Sequence, residues 1–274
     1  MLNRFFAAVI LVAGVGSAHA QTSPKGSPMS VVTPEIVKDL APTGKLRAAI
    51  NLGNGVLAQG TPQEPRGVSV DLARELAKRA GVPLELVPYV AAGKVFEALK
   101  TGAWDIAFLA IEPVRAAEVD FSPAYVHIEG TYMVLKDSPL KAIADVDRPG
   151  VRISVGPGSA YDLYLTRSLK SATLVRAHTG GGRAMIDLFF ADKLDVAAGV
   201  KQPLVEYART DPKVRVMDGR FMVIEQAMGV PKGRVAAAAY VREFIEEMKA
   251  SGFVAAGLER SNQPDATVAP AVGK

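Results

Sequence analysis

The amino-acid sequence predicts an α/β protein with two open sheets, because strand-like and helix-like segments alternate in two successive series. Residues 45–111 hold one β-α-β-α-β series and residues 151–200 hold a second. Strands connected through helices pair in parallel by right-handed crossovers, so each series predicts one doubly wound sheet. The two halves share little sequence identity, and the repeat is therefore one of architecture only.

The N-terminus has the pattern of a secretory signal peptide. Arg4 precedes an apolar run over residues 5–15, and the small residues Ala18 and Ala20 follow it. This pattern predicts a signal peptide over residues 1–20 that is cleaved after Ala20. The run is too short for a permanent membrane span, and a chain without cysteine has no thiol for a lipid anchor. We therefore expect the mature protein to be free in the periplasm.

Composition excludes nucleic acid as an expected partner. The formal net charge is +4 and becomes +3 once Arg4 is removed with the signal peptide. Lysines and arginines are spread along the chain without a basic run that contains aromatic residues. The mature chain is long enough for two modest domains. Residues 21–34 are rich in Ser, Pro and Thr and are predicted to be a linker.

The first series of elements ends on a strongly apolar strand. Its predicted order is strand 45–52, helix 71–80, strand 84–90, helix 93–101 and strand 104–111. In the first helix Leu72, Leu76 and Ala80 share one face, and Gly81 stops it. Strand 104–111 (WDIAFLAI) is nearly continuous in apolar residues, as is typical of a strand buried in a parallel sheet.

The second series is followed by more strands and a long helix. Its predicted order is strand 151–155, helix 159–170, strand 173–178, helix 182–193 and strand 194–200, then segment 213–220, strand 221–229 and helix 234–251. Residues 261–274 are rich in Pro and Ala without an apolar period, so we expect a mobile tail.

Arg115 lies just beyond the carboxyl end of strand 104–111. Small ligands bind at this edge of open α/β sheets. Two interpretations of the arginine are open. It forms a surface ion pair with Glu112 or Glu118, worth at most about 1 kcal/mol, or it binds an anionic ligand.

Six ordered motifs carry a resemblance to a known family. They are 67–73 (GVSVDLA), 99–105 (LKTGAWD), 112–115 (EPVR) with 120–122 (DFS) and Tyr125, 158–159 (GS), 194–196 (LDV) and 249–253 (KASGF). Each is weak alone, but their order and spacing are specific. Over about residues 43–258 the chain resembles the periplasmic solute-binding proteins of polar amino-acid ABC transporters, family 3.

The resemblance implies a two-lobed periplasmic-binding-protein fold of type II with a hinge of two crossovers. The first lobe would hold residues 35–133 plus 225–274, and the second lobe residues 134–224. A small ligand would lie between the lobes, and hinge closure would trap it. The implied function is the periplasmic substrate-binding component of an ABC importer for a small carboxylate-bearing solute, an amino acid or a derivative. We expect a monomer without a cofactor or metal that docks on an inner-membrane permease and is not an enzyme.

The resemblance also implies a ligand site. Arg115 would fork two hydrogen bonds onto the α-carboxylate of the ligand, as Lys could not. A helix that opens at Gly158, Ser159 and Ala160 would cap the same carboxylate with its N–H groups and a hydroxyl. The remaining expected ligand-binding positions are Ala110, Glu112, Asn54, Tyr161 and Val200.

Three positions depart from the pattern of the family. Glu112 stands where the family usually has Thr, Val200 stands where it has the ammonium-binding Asp, and the loop after the first strand lacks an aromatic residue. One hypothesis is that Glu112 supplies the missing negative charge and holds a ligand ammonium, since a buried ammonium without a partner is costly. Alternatively Glu112 neutralises Arg115 or lies on the rim, and the ligand is a carboxylate without an amino group.

A second function class is a periplasmic enzyme on the same scaffold, similar to the cyclohexadienyl dehydratases. It would use Glu112 or Glu225 as a general acid with a pKa raised by an apolar cleft. The sequence shows neither a nucleophile elbow nor a dinucleotide-binding glycine motif. Residues 180–183 (GGGR) could form an anion-binding turn or a flexible loop.

Overall fold

A computed structural model describes residues 30–273. The expected signal peptide and residues 21–29 of the expected linker lie outside the described residues. The α-helices are α1 Pro34–Leu40, α2 Val68–Ala80, α3 Ala92–Ala98, α4 Pro113–Ala116, α5 Ala160–Ser168, α6 Ala184–Ala191, α7 Lys201–Thr210, α8 Val235–Ala250 and α9 Phe253–Arg260. The strands are β1 Leu46–Asn51, β2 Gln59–Gly60, β3 Pro65–Arg66, β4 Leu84–Tyr89, β5 Ile106–Ala110, β6 Val119–Leu135, β7 Arg152–Val155, β8 Thr173–Arg176, β9 Val196–Val200, β10 Val214–Val216, β11 Met222–Pro231 and β12 Thr267–Val268.

The predicted two-lobed α/β fold is confirmed. Strands β4, β1 and β5 pair in parallel and form the sheet of the first lobe, and β8, β7 and β9 do the same in the second lobe. The two parallel groups are parts of one continuous path, β4-β1-β5-β11-β6-β9-β7-β8. The sequence predicted separate sheets, and the difference arises because β11 pairs with β5 while its neighbour β6 pairs with β9.

The long strands β6 and β11 form the hinge region between the lobes. They run antiparallel, from the pair of Met222 with Gly130 to the pair of Pro231 with Val119. Strand β6 has 17 residues, but its continuity is hidden in the sequence, because Pro123 lies within it and Pro normally interrupts a strand. The sequence therefore indicated only motifs in this segment, whereas the structure shows one continuous connection between the lobes.

Three helices of more than one turn were not predicted, namely α1, α7 and α9. In α1, Pro34 takes the first helical position, where its missing N–H costs nothing, and the Thr33 hydroxyl accepts from the Ile36 N–H at 3.3 Å. Helix α7 follows β9 without a turn and contains Pro203 in its first turn, where Pro is tolerated. The start of α1 lies beside a Pro-rich segment and that of α7 beside a strand, which hides them in the sequence, whereas α9 follows α8 after Gly252.

The expectation of a mobile C-terminal tail is wrong for residues 267–268. Strand β12 pairs antiparallel with β6, with Val268 opposite Val126. The flanking Ala266 and Ala269 are buried. This pairing uses backbone groups, which a survey of side-chain composition does not detect.

A buried ion-pair network ties the sheet of the first lobe to α8. The Asp105 side chain is fully buried, and its carboxylate accepts from Arg47 Nη2 and Arg234 Nη1 at 2.9 Å each. Burial alone would raise the pKa of Asp105, but its hydrogen bonds with the two arginines hold the pKa below 3.8. None of the helices within residues 30–273 combines the length and apolar character needed to span a bilayer.

Candidate functional site

A cleft lies between the lobes at the carboxyl ends of the parallel strands. Loops after β1, β4 and β5 line it from the first lobe, loops after β7, β8 and β9 line it from the second, and β11 closes its base. Leu109, Ile224, Met185 and Val200 supply apolar surface. The cleft has a cavity volume of about 70 Å³ and is partly open to solvent.

Arg115 is built into the wall of this cleft and is 1% exposed. Helix α4 begins at Pro113 directly after β5 and places the arginine so that its side chain returns to the strand end. Nη1 donates to the Ala110 carbonyl at 3.1 Å, and Nη2 donates to the Gly158 carbonyl of the second lobe at 2.8 Å. Nε has no hydrogen-bond partner anywhere in the described chain. A guanidinium has five N–H donors, and three are left for a ligand.

The electrostatic state of Arg115 favours an anion beside it. Burial lowers the pKa of Arg115 to about 10, because the protein replaces the water around the charged form, and the negative charge of Glu112 only partly offsets this. The guanidinium remains protonated at neutral pH. A buried charge without a direct carboxylate partner is costly, and an anionic ligand would remove that cost.

The N-terminus of α5 faces the cleft from the second lobe. Of the expected capping groups, the Gly158 N–H already donates to Asp162 at 2.8 Å, and the Ser159 hydroxyl accepts from the Asp162 N–H at 3.1 Å. The N–H groups of Ala160 and Tyr161 have no acceptor within residues 30–273, as is usual in a first helical turn. Two backbone donors of this nine-residue helix are therefore left for an anion.

The other polar groups of the cleft are neutral. The side-chain carbonyls of Asn51 and Asn54 accept from the N–H groups of Gly53 at 3.1 Å and Val56 at 3.3 Å, which leaves their amide N–H groups as donors. Gln226 is 6% exposed, and its side-chain amide has no partner in the described part of the chain. The cleft thus offers mainly hydrogen-bond donors around one guanidinium.

Glycines allow the two lobes to meet at the mouth of the cleft. A Cβ atom on Gly181 would lie 1.8 Å from the Val90 carbonyl oxygen, and one on Gly158 would lie 2.9 Å from Gly93 Cα. Gly181 also has a φ of +88°, which favours glycine. These are direct backbone contacts between the lobes, and a side chain at these positions would hold the lobes apart.

The protein family of the chain follows from a match to one family model. Residues 57–260 match the model of the bacterial extracellular solute-binding proteins, family 3. The chain belongs to this family. A comparison of this solute-binding protein with curated sequences found no match.

Solved structures of similar fold include amino-acid receptors. The solute receptor for L-cysteine of Neisseria gonorrhoeae has a TM-score of 0.71 and 22% identity, over 83% of this chain and 94% of that one. The ancestral amino acid-binding protein AncCDT-1, a precursor of cyclohexadienyl dehydratase, has a TM-score of 0.67 and 24% identity, over 82% of this chain and 98% of that one. The L-arginine-bound substrate-binding protein AbpA from Streptococcus pneumoniae has a TM-score of 0.68 and 19% identity, over 82% of this chain and 97% of that one. These likenesses establish the fold of the solute-binding protein.

Most residues named from the sequence meet at the cleft of this solute-binding protein. The cleft lining includes Arg115, Ala110, Ser159, Ala160, Tyr161, Val200 and Asn54. Gly158 contributes through its carbonyl bond to Arg115 rather than as a lining residue. Sequence reasoning missed Gln226 and Asn51. Asn51 ends the first strand and could have been found by the rule that strand ends carry ligands, whereas Gln226 lies within a hinge strand and carries no such signal.

The structure does not bring Glu112 or Glu225 to the cleft. Glu112 is 2% exposed, and its carboxylate accepts from Arg167 Nη1 of α5 at 2.5 Å, which makes an ion pair between the lobes. The Glu225 side chain is 54% exposed and lies 3.7 Å from His127 Nε2. Neither Glu112 nor Glu225 is among the residues that line the cleft.

Proposed function

We propose that this solute-binding protein is the periplasmic substrate-binding component of an ABC importer for a small carboxylate-bearing solute, an amino acid or a derivative. The observation that carries this proposal is the buried Arg115, which lines the cleft and whose Nε has no hydrogen-bond partner in the described chain. Family membership supports binding rather than catalysis, and so does the pairing of Glu112 with Arg167 outside the cleft.

The contacts available are sufficient for physiological affinity. Micromolar binding corresponds to about 8 kcal/mol. Charge-assisted hydrogen bonds contribute about 1.5–3 kcal/mol each, and the cleft offers such donors on Arg115 in addition to the N–H groups of Ala160 and Tyr161. Apolar burial against Leu109 and Met185 adds to this total.

Hinge closure is the proposed mechanism of capture. The first lobe would comprise residues 35–133 plus 225–274, and the second residues 134–224, so that bending of β6 and β11 opens the cleft. In the closed form Arg115 and Glu112 of the first lobe bind Gly158 and Arg167 of the second. A permease of the inner membrane would recognise the closed monomer. Export by a signal peptide cleaved after Ala20 would bring the protein to the periplasm.

The test is a thermal-shift screen of residues 21–274 against amino acids, N-modified amino acids and simple carboxylates. A ligand well above its dissociation constant raises the melting temperature. We expect carboxylate hits that disappear in Arg115→Met, which keeps an unbranched apolar stem and removes the guanidinium with its charge. The matched control is Arg152→Met, since the Arg152 side chain is 47% exposed and lies outside the cleft lining. Equal shifts in wild type and Arg115→Met, or no carboxylate hit, would contradict the proposal.

A further inference from the structure

The charge of the cleft is a single positive charge. Among its nineteen lining residues, all within the described chain, Arg115 is ionised at neutral pH and the others are neutral. Two acids lie three residues from Arg115 along the chain; Glu112 is engaged with Arg167, and Glu118 is not among the residues that line the cleft. Burial raises the pKa of Tyr161, so this hydroxyl also stays neutral. A bound monoanion would make the cleft electrically neutral, whereas a zwitterion would leave it with an excess positive charge.

Four carbonyl oxygens at the cleft already accept one hydrogen bond each, and none of the lining side chains is a carboxylate. The carbonyls of Ala110 and Gly158, which would suit an ammonium, accept from the guanidinium of Arg115 instead. The side-chain carbonyls of Asn51 and Asn54 accept from backbone N–H groups. A ligand ammonium needs up to three acceptors. The amide of Gln226 is free, and one amide oxygen matches a single ligand hydroxyl better than an ammonium.

An α-ammonium would also lie close to the guanidinium. In an α-amino acid the ammonium and the carboxylate are bonded to the same carbon, so a carboxylate held by Arg115 brings both cations within a few bond lengths. Like charges in a desolvated site repel strongly, and a fixed donor set rejects a ligand group that it cannot satisfy. The positive charge of the cleft, its few free acceptors and the short distance between an ammonium and the guanidinium all disfavour zwitterionic amino acids.

We propose that the cleft selects small monocarboxylates whose 2-substituent is neutral, such as 2-hydroxy acids, over the corresponding zwitterionic amino acids. This inference rests on the proposed function and narrows its ligand. The carboxylate binds Arg115 and the N–H groups of Ala160 and Tyr161, while the amide oxygen of Gln226 accepts from the 2-hydroxyl.

Isothermal titration of residues 21–274 with isosteric pairs tests this directly. L-Lactate is compared with L-alanine, and glycolate with glycine, since each pair exchanges a hydroxyl for an ammonium. We expect each hydroxy acid to bind at least about ten-fold more tightly than its partner, a difference of about 1.4 kcal/mol. Equal or tighter binding of the amino acids would overturn the inference and leave the proposed function intact. Failure of both hydroxy acids to bind would also overturn it, and the wider panel with Arg115→Met would show separately whether a carboxylate site exists.

A negative charge introduced at Val200 should reverse the preference of the cleft from hydroxy acids toward amino acids. Val200 lines the cleft and is the N-cap of α7, a position at which Asp and Asn stabilise a helix to a similar degree. Val200→Asp should weaken L-lactate at least ten-fold and strengthen L-alanine. Val200→Asn carries the same shape without the charge and should leave the order of the two ligands unchanged. An unaltered order in Val200→Asp, with the fold verified by circular dichroism, would count against a charge-based selection.

Discussion

Substitution of Gly181 by Ala should prevent the lobes from meeting. The added Cβ would lie 1.8 Å from the Val90 carbonyl oxygen, whereas ordinary contact begins at 3.4 Å, so the two backbones must separate by about 1.6 Å. A displacement of this size breaks the 2.8 Å bond between Arg115 Nη2 and the Gly158 carbonyl. Loss of one charge-assisted hydrogen bond costs about 1.5–3 kcal/mol. We expect the affinity for the tightest carboxylate to fall roughly ten- to hundred-fold.

Gly182→Ala is the matched control for this prediction. Gly182 also has a positive φ, of +52°, but a Cβ there meets nothing within 4 Å. Both variants carry the backbone strain of an L-residue in the left-handed region, about 1–2 kcal/mol, and both should unfold at a lower temperature than wild type. Isothermal titration measures ligand affinity and so distinguishes the backbone strain common to both variants from the obstruction between the lobes, which only Gly181→Ala introduces. If Gly181→Ala binds as tightly as Gly182→Ala, the contact between the lobes has no part in ligand capture.

Three further changes test the electrostatics of the protein. Ligand affinity should be constant from neutral pH to about pH 9 and fall as the pH rises through about 10, because Arg115 loses its proton there. Ligand titrations across this pH range, with the fold monitored by circular dichroism, would show a constant affinity if Arg115 took no part in binding. A double-mutant cycle of Glu112→Gln and Arg167→Gln should give a coupling of about 1 kcal/mol in ligand binding, and a coupling of zero would mean that the ion pair does not favour closure. Asp105→Asn should lower the free energy of unfolding by about 3–5 kcal/mol, because two arginines lose a buried partner, against less than about 1 kcal/mol for the half-exposed Asp195→Asn. Because the folded pKa of Asp105 is depressed, this stabilisation is complete above pH 3.8 and is lost as the pH falls through the folded value, so urea unfolding at low pH should show the difference between wild type and Asp105→Asn disappearing.

The sequence predicted the parallel core of each lobe because local patterns determine it. Strand 104–111 appears as β5, Ile106–Ala110, and the helix that Gly81 was expected to stop ends at Ala80. The rule that ligands bind at strand ends predicted Arg115 for this edge of the sheet, and Arg115 lines the cleft there. Apolar periodicity and glycine stops act within one element, and for that reason a single sequence reveals them.

Features that depend on pairing over long distances could not be predicted. The partner of Glu112 is Arg167, 55 residues later, and no local pattern indicates that the two lobes bring them together. Gln226 reaches the cleft because the antiparallel register of β11 places it opposite Ala110. Such registers are set by the tertiary fold. The sequence thus identified the cation of the cleft, whereas the structure was needed to show that no acid accompanies it within the described lining.

A crystal structure of residues 21–274 with L-lactate, or with the tightest carboxylate of the panel, would show whether Arg115 binds the ligand. We expect a carboxylate within hydrogen-bond distance of Arg115 Nε and of the N–H groups of Ala160 and Tyr161, inside closed lobes. A ligand whose carboxylate lies away from Arg115, or an occupied cleft in which Arg115 Nε has found a protein partner instead, would contradict it.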